Sequence, residues 1–267
     1  MTRSPERLFA GYALDLDGTV YLGDELLDGA ASTIAVLRET SRVVFVTNKP
    51  LETADAYAAK LTRLGIESSR HDIVTPLDSL VQYLDEHHRG ANVLTVAEEL
   101  IDEVLRASGH SVVQDPFDAA VVVVSFDRTF TYAKLLAAYR AVKNGASIVA
   151  TNPDPYCPTP DGGLPDCAAM LAAVEACTSA RAEAIVGKPS AHMGRAILAR
   201  LKTAAEDSVI VGDRLLTDIA MADELGMSSV LVLSGATTLD DLADSVVRPD
   251  YVIDALRNIL PDRLETP

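Results

Sequence analysis

Four short segments place acids, a hydroxyl or a lysine directly after an apolar run. They are Leu14-Asp15-Leu16-Asp17-Gly18-Thr19-Val20-Tyr21, Phe45-Val46-Thr47-Asn48-Lys49-Pro50, Val186-Gly187-Lys188-Pro189 and Val211-Gly212-Asp213-Arg214-Leu215-Leu216-Thr217-Asp218. Each is unremarkable alone: Asp17-Gly18 is an ordinary turn signal, and a single strand-end lysine is usually a solvated charge. In this order, each at the end of an apolar run, they match the needs of phosphoryl transfer.

A phosphomonoester is anionic and resists an anionic nucleophile, so a cation must offset its charge while a carboxylate is held in line. Asp15 is the candidate nucleophile, forming a covalent aspartyl phosphate. Asp17 is the candidate general acid, protonating the leaving oxygen and then taking a proton from the attacking water. Mg²⁺ requires hard oxygen ligands, which a side-chain oxygen of Asp15, the backbone carbonyl of Asp17 and Asp213 would supply. Asp218 would complete the shell or hold a metal-bound water. Thr47 and the N–H of Asn48 are placed to cradle the phosphoryl oxygens, and Lys188 to offset the combined charge of Asp15 and phosphate. Gly18 permits a sharp turn after the strand. Thr217 is expected to cap a helix whose dipole Asp218 favours, a role compatible with metal binding. Arg214 reads equally as a surface residue or as support for the metal loop.

These residues need elements to hold them. β-branched runs at 12–16, 43–47, 92–96, 120–125, 147–151, 184–186, 208–212, 229–233 and 251–253 alternate with amphipathic stretches at 30–40, 53–64, 80–87, 98–108, 132–144, 168–176, 191–201 and 218–225. Such alternation implies an α/β fold, a doubly wound parallel sheet with helices on both faces. Ligands of open sheets of this kind bind at the C-terminal strand ends, where the four segments would converge. Residues 153–165 break the rhythm with five prolines and two adjacent glycines, predicting a long irregular loop. Asn152, Asp154 and Asp166 border it, either as turn and capping residues or as contacts to a bound ester.

Composition narrows the partners. A chain of 267 residues has room for one large core, or one core with a smaller inserted domain. Its net charge of −16 argues against nucleic acid or an anionic membrane surface as partner, while a local cationic site can still capture a small anionic ester. No run approaches the length of a membrane span, and the first ten residues lack the apolar core of a signal peptide. Cys157, Cys167 and Cys177 fit no short metal-binding spacing and read as reduced thiols of a cytoplasmic protein.

Asp15-x-Asp17-Gly18-Thr19, Thr47, Lys188 and Gly212-Asp213 with Asp218 together resemble the four motifs of the haloacid dehalogenase (HAD) superfamily. Asp15 to Tyr21, Thr151-Asn152-Pro153-Asp154 and Gly187-Lys188-Pro189-Ser190 resemble in particular its NagD-like, p-nitrophenylphosphatase-type branch. The resemblance implies a Rossmann-like core at 1–77 and 185–267, an inserted α/β cap at 78–184, Mg²⁺ dependence and hydrolysis of small phosphorylated metabolites such as sugar or polyol phosphates. A homo-oligomer formed through the cap is left open. Lys49 stands where many members of the branch have asparagine, and Asp166-Cys167-Ala168 where they have a glycine-rich helix entry. Lys49 would be a solvated side chain or a sensor of a second anionic group, and Asp166 a partner for a hydroxyl or amine. The competing readings are a phosphomutase or phosphotransferase of the same superfamily, and a non-enzymatic phospho-acceptor module, which would have no use for Asp17 or a cap. A dinucleotide-binding dehydrogenase lacks support, since no G-x-G-x-x-G follows the first strand.

Overall fold

The strand Gly11–Asp15 is buried at every position, the pattern expected of a strand covered on both faces. Its side chains alternate between two cores. Tyr12 and Leu14 join one with Ile34 and Leu37 of helix Ala30–Thr40 and Tyr57 and Leu61 of helix Ala54–Arg63. Ala13 joins the other with Met193 and Ile197 of helix Ala191–Leu201 and Met221 of helix Ala220–Leu225. This is a computed structural model, which describes residues 2–159 and 162–261.

Around that strand runs a six-stranded sheet in the order Tyr251–Ile253, Ser228–Val232, Ser208–Gly212, Gly11–Asp15, Arg42–Val46, Ile73–Val74. All its pairings are parallel. Numbered along the chain within this sheet, the order is that of the doubly wound dinucleotide-binding sheets, and it reverses between Gly11–Asp15 and Ser208–Gly212.

The chain divides into two compact units. One comprises Met1–Thr47, Ala54–Val74 and Met193–Pro267, and the other Asn48–Thr53 and Thr75–His192. The second unit has its own parallel sheet, in the order Ala184–Ile185, Ser147–Ala150, Val121–Val124, Asn92–Val96, Ser111–Val112. Here too alternate residues face opposite cores. Val122 and Val124 pack with helices Tyr132–Lys143 and Cys167–Thr178, whereas Val121 and Val123 pack with helices Pro76–His87 and Glu99–Ala107. Among the described residues, no helix is long and apolar enough to cross a membrane.

The structure corrects the sequence reading in several places. The expected irregular loop at 153–165 contains two antiparallel strands, Tyr156–Thr159 and Gly162–Pro165. Its Pro160 and Asp161 lie outside the described residues. The helix expected from 80 begins at Pro76, because Thr75 and Asp78 form a reciprocal capping box and proline suits the first turn. Thr217 caps nothing: it lies inside a π-helical turn, Leu215–Ile219, whose N-cap is Arg214.

Helix Pro76–His87 depends on its buried face, and Leu80 is fully enclosed there. Leu80→Ala should therefore lower the unfolding free energy by about 2–5 kcal/mol. Thr75→Ala, which removes only the cap, should cost about 0.5–2 kcal/mol. Urea unfolding curves of the two variants would check the ranking, and equal losses would contradict it.

Candidate active site

Asp15 is the last residue of strand Gly11–Asp15, and Asp213 directly follows strand Ser208–Gly212. The two strands are neighbours, with Leu14 paired to Val211, so both acids emerge where the strand order reverses. Asp218 joins them from the π-helical turn, its Oδ2 accepting the Arg214 N–H at 3.2 Å. One carboxylate oxygen from each of Asp15, Asp213 and Asp218 lies within 4.8 Å of the others, and the three residues are only 7, 3 and 1% exposed. Three ionised carboxylates this close and this buried repel strongly unless a cation is present. An all-oxygen donor set suits a hard cation such as Mg²⁺ or Ca²⁺.

The backbone is fitted closely around these acids. Gly18 has φ +88°, and a Cβ there would lie 2.6 Å from Asp213 Oδ2. Asp17, half-buried, forms a bridge with Tyr21, and the Gly18 N–H donates to the Tyr21 carbonyl at 2.8 Å. Leu16 offers its carbonyl to the N–H groups of Val20 and Tyr21 at 2.9 and 3.1 Å, which closes the loop carrying Asp17. The loop then runs into a short antiparallel pair, Tyr21–Leu22 with Glu25–Leu26. Thr47, buried at the end of the adjacent strand Arg42–Val46, donates its N–H to the Val74 carbonyl at 3.2 Å.

Sequence reasoning missed the segment Ser234 to Thr237. The Ala236 N–H donates to Asp213 Oδ2 at 2.6 Å, the Thr237 N–H to the Asp213 carbonyl at 3.2 Å, and the Ser234 hydroxyl to the Gly18 carbonyl at 2.7 Å. Gly235 makes this approach possible, since a Cβ there would sit 2.0 Å from Asp213 Oδ2. The available signal was its place just after strand Ser228–Val232, but the segment carries no acid or lysine to draw attention. Thr217 is buried, and its hydroxyl has no hydrogen-bond partner among the described residues.

The second unit gathers the other candidates. Asn48 clasps the backbone of Lys188 from both sides: its Oδ1 accepts the Lys188 N–H at 2.8 Å, and its Nδ2 donates to the Lys188 carbonyl at 3.2 Å. The same Nδ2 donates to Asp154 Oδ2 at 2.8 Å. Asn152 Nδ2 donates to the Asn48 carbonyl at 3.1 Å and to Asp166 Oδ1 at 3.4 Å, and Asn152 Oδ1 accepts the Asp154 N–H at 2.9 Å. Asp166 caps helix Cys167–Thr178, accepting the Cys167 N–H. Thus Asn152, Asp154 and Asp166 all have turn or capping work in a connected network. Lys188 is 2% exposed and Lys49 half-buried. Cys167 is fully enclosed, and its burial pushes the thiol up to about 11, which leaves it protonated and unreactive.

Comparison with known proteins agrees with this geometry. Family models described as Haloacid dehalogenase-like hydrolase and HAD-hyrolase-like match residues 12–111 and 185–259. The sugar-phosphatase AraL of Bacillus subtilis is 36% identical over 251 residues, covering 94% of this chain and 92% of that protein. The chain belongs to the haloacid dehalogenase-like hydrolase family. A 4-nitrophenylphosphatase from Thermotoga maritima superposes with a TM-score of 0.88 at 32% identity, covering 94% of this chain and 96% of that one. The glycerol phosphate phosphatase of Mycobacterium tuberculosis, in complex with magnesium, gives 0.87 at 34% identity, covering 97% of this chain and 78% of that one. NagD of Escherichia coli also matches, with a TM-score of 0.84 at 27% identity. This HAD-family chain is therefore a phosphoric monoester hydrolase of the NagD-like branch.

Two expectations follow. In this HAD phosphatase, Gly235→Ala should force Asp213 to move and raise the metal-ion concentration needed for half-maximal activity about 10–100-fold, the loss expected when groups around a metal site are disturbed. An unchanged Mg²⁺ titration would deny Gly235 that role. Iodoacetamide on the folded protein should alkylate the exposed Cys177 and spare Cys167 without loss of activity, with peptide mass spectrometry as the readout.

Proposed function

We propose that this phosphatase hydrolyses small phosphorylated metabolites, such as sugar or polyol phosphates, with Mg²⁺ and through an aspartyl phosphate on Asp15. The carrying observation is the buried trio Asp15, Asp213 and Asp218, whose oxygens lie within 4.8 Å of one another at the reversal point of the sheet. The relatives support the substrate class, AraL being a sugar phosphatase and the M. tuberculosis neighbour a glycerol phosphate phosphatase with magnesium.

In this reading a carboxylate oxygen of Asp15 attacks phosphorus as the bond to the leaving oxygen breaks, and Asp17 delivers the proton that the departing alkoxide needs. Asp17, now ionised, takes a proton from water as that water attacks phosphorus and the bond to Asp15 breaks, releasing inorganic phosphate. The Thr47 hydroxyl and the Asn48 N–H hold the phosphoryl oxygens, and the Lys188 ammonium offsets their charge. Held by Asp15, the Asp17 carbonyl, Asp213 and Asp218, Mg²⁺ would supply Lewis-acid neutralisation of the phosphate. The unit built from Asn48–Thr53 and Thr75–His192 would serve as the cap, its substrate-selecting part at 78–184, with Asn152, Asp154, Asp166 and Lys49 as candidates for contacts to the ester. Action in the cytoplasm rests on the cysteine pattern of the sequence alone.

Asp15→Asn should abolish turnover while the protein stays folded, and acid quenching of wild type during turnover should trap phosphate on the Asp15 peptide. Label on any other residue would overturn the assignment. Asp17→Asn should slow alkyl phosphates more than p-nitrophenyl phosphate, whose leaving group needs little protonation. EDTA should stop activity reversibly, and full activity in EDTA would exclude the metal.

A further inference from the structure

A second donor cluster lies within the second unit, built from different chemistry. Of the five histidines in the chain, His87, His88 and His192 all pack around Tyr83. His88 is engaged by Glu183, at 3.0 Å, and the Tyr83 hydroxyl donates to the same carboxylate at 2.7 Å. One ligand atom from each of His87 and His192, with a carboxylate oxygen of Glu86, falls within 4.8 Å of the others.

The arrangement of the rings accommodates shared coordination. The His87 and His192 rings have centroids 5.9 Å apart and an interplanar angle of 89°. Two imidazoles bound at about 2.0–2.1 Å to one tetrahedral ion place their centroids roughly 5–6 Å apart. An ordinary edge-to-face ring contact has the same spacing and angle, so the close approach of the three ligand atoms carries the argument and the rings accommodate it. Gln82 Nε2 donates to Glu86 Oε1 at 2.8 Å, while Glu86 Oε2 lies 3.9 Å from His87 Nε2, so one carboxylate oxygen is steadied and the other faces the imidazole. Tyr83, 5% exposed, contacts the His192 ring edge-on at 4.8 Å and forms the apolar wall behind the cluster.

We propose that Glu86, His87 and His192 form a binding site for a late first-row divalent ion such as Zn²⁺ or Ni²⁺, with water filling the open positions. Two imidazole nitrogens and one carboxylate form the set that such ions prefer, whereas Mg²⁺ favours oxygen alone. By ligand chemistry the site is separate from the all-carboxylate trio Asp15, Asp213 and Asp218. His87 and Glu86 are exposed and His192 half-buried, so the ion has access without unfolding.

The test is calorimetric titration of Zn²⁺ into the full-length, Mg²⁺-saturated protein. Wild type, His71→Ala and Asp213→Asn should each show the site, and His87→Ala and His192→Ala should each lose one binding equivalent. Undiminished binding in both of the latter, or loss of the equivalent only in Asp213→Asn, would overturn the assignment. A second measurement does not depend on any variant folding: one equivalent of Cu²⁺ added to the Mg²⁺-saturated wild type should give an electron paramagnetic resonance spectrum with imidazole nitrogen coupling. A purely oxygen-ligated signal would refute the proposal.

Discussion

The mutual repulsion of Asp15, Asp213 and Asp218 is the constraint around which the first unit is arranged. Two unit charges about 4 Å apart repel by roughly 4 kcal/mol at an effective dielectric constant of about 20, and here three carboxylates meet in pairs with almost no exposure. A fold would not keep such a group for stability. It is tolerable because the surrounding backbone donates to the acids and because the arrangement invites a cation. The parallel sheet makes it geometrically simple: neighbouring strands in register bring Asp15 and Asp213 out side by side, and the reversal of strand order leaves the space above them clear of crossover helices.

The same constraint explains the small residues nearby. An amide N–H can reach a carboxylate only if no side chain intervenes, so the loop after strand Ser228–Val232 presents Gly235 against Asp213 while the next amide, that of Ala236, makes the 2.6 Å bond. Ser234 then ties this loop to the Gly18 carbonyl, so the turn carrying Asp17 and the loop steadying Asp213 hold one another. A displacement of either is felt by both acids.

How much of this was legible in the sequence follows from the range of each signal. Strands such as Asn92–Val96 and Ser208–Gly212 are short runs rich in β-branched residues and are legible to the residue, as is helix Ala30–Thr40. The two-residue strands Ile73–Val74 and Ser111–Val112 carry no periodicity, because only their pairing to a longer neighbour makes them strands. Proline density hid the pair Tyr156–Thr159 and Gly162–Pro165, whose antiparallel partnership is a tertiary fact. The acids of the trio were readable from their positions after apolar runs. Ser234 to Thr237 was not, since its contribution is made by backbone amides that any sequence possesses.

Thr47 and Asn48 are consecutive in the chain, yet they belong to different compact units. Thr47 directly follows a strand of the first sheet, and its amide is spent on the neighbouring strand at Val74. Asn48 has its side chain committed to both backbone polar groups of Lys188 and to Asp154. Both hydrogen bonds to Lys188 are to its main chain, so they fix where the residue starts. A buried lysine is costly unless its charge is used, and Lys188 is 2% exposed. A clasp of this kind therefore makes more sense as positioning than as general stabilisation: a small amide holds the backbone of a cation in place.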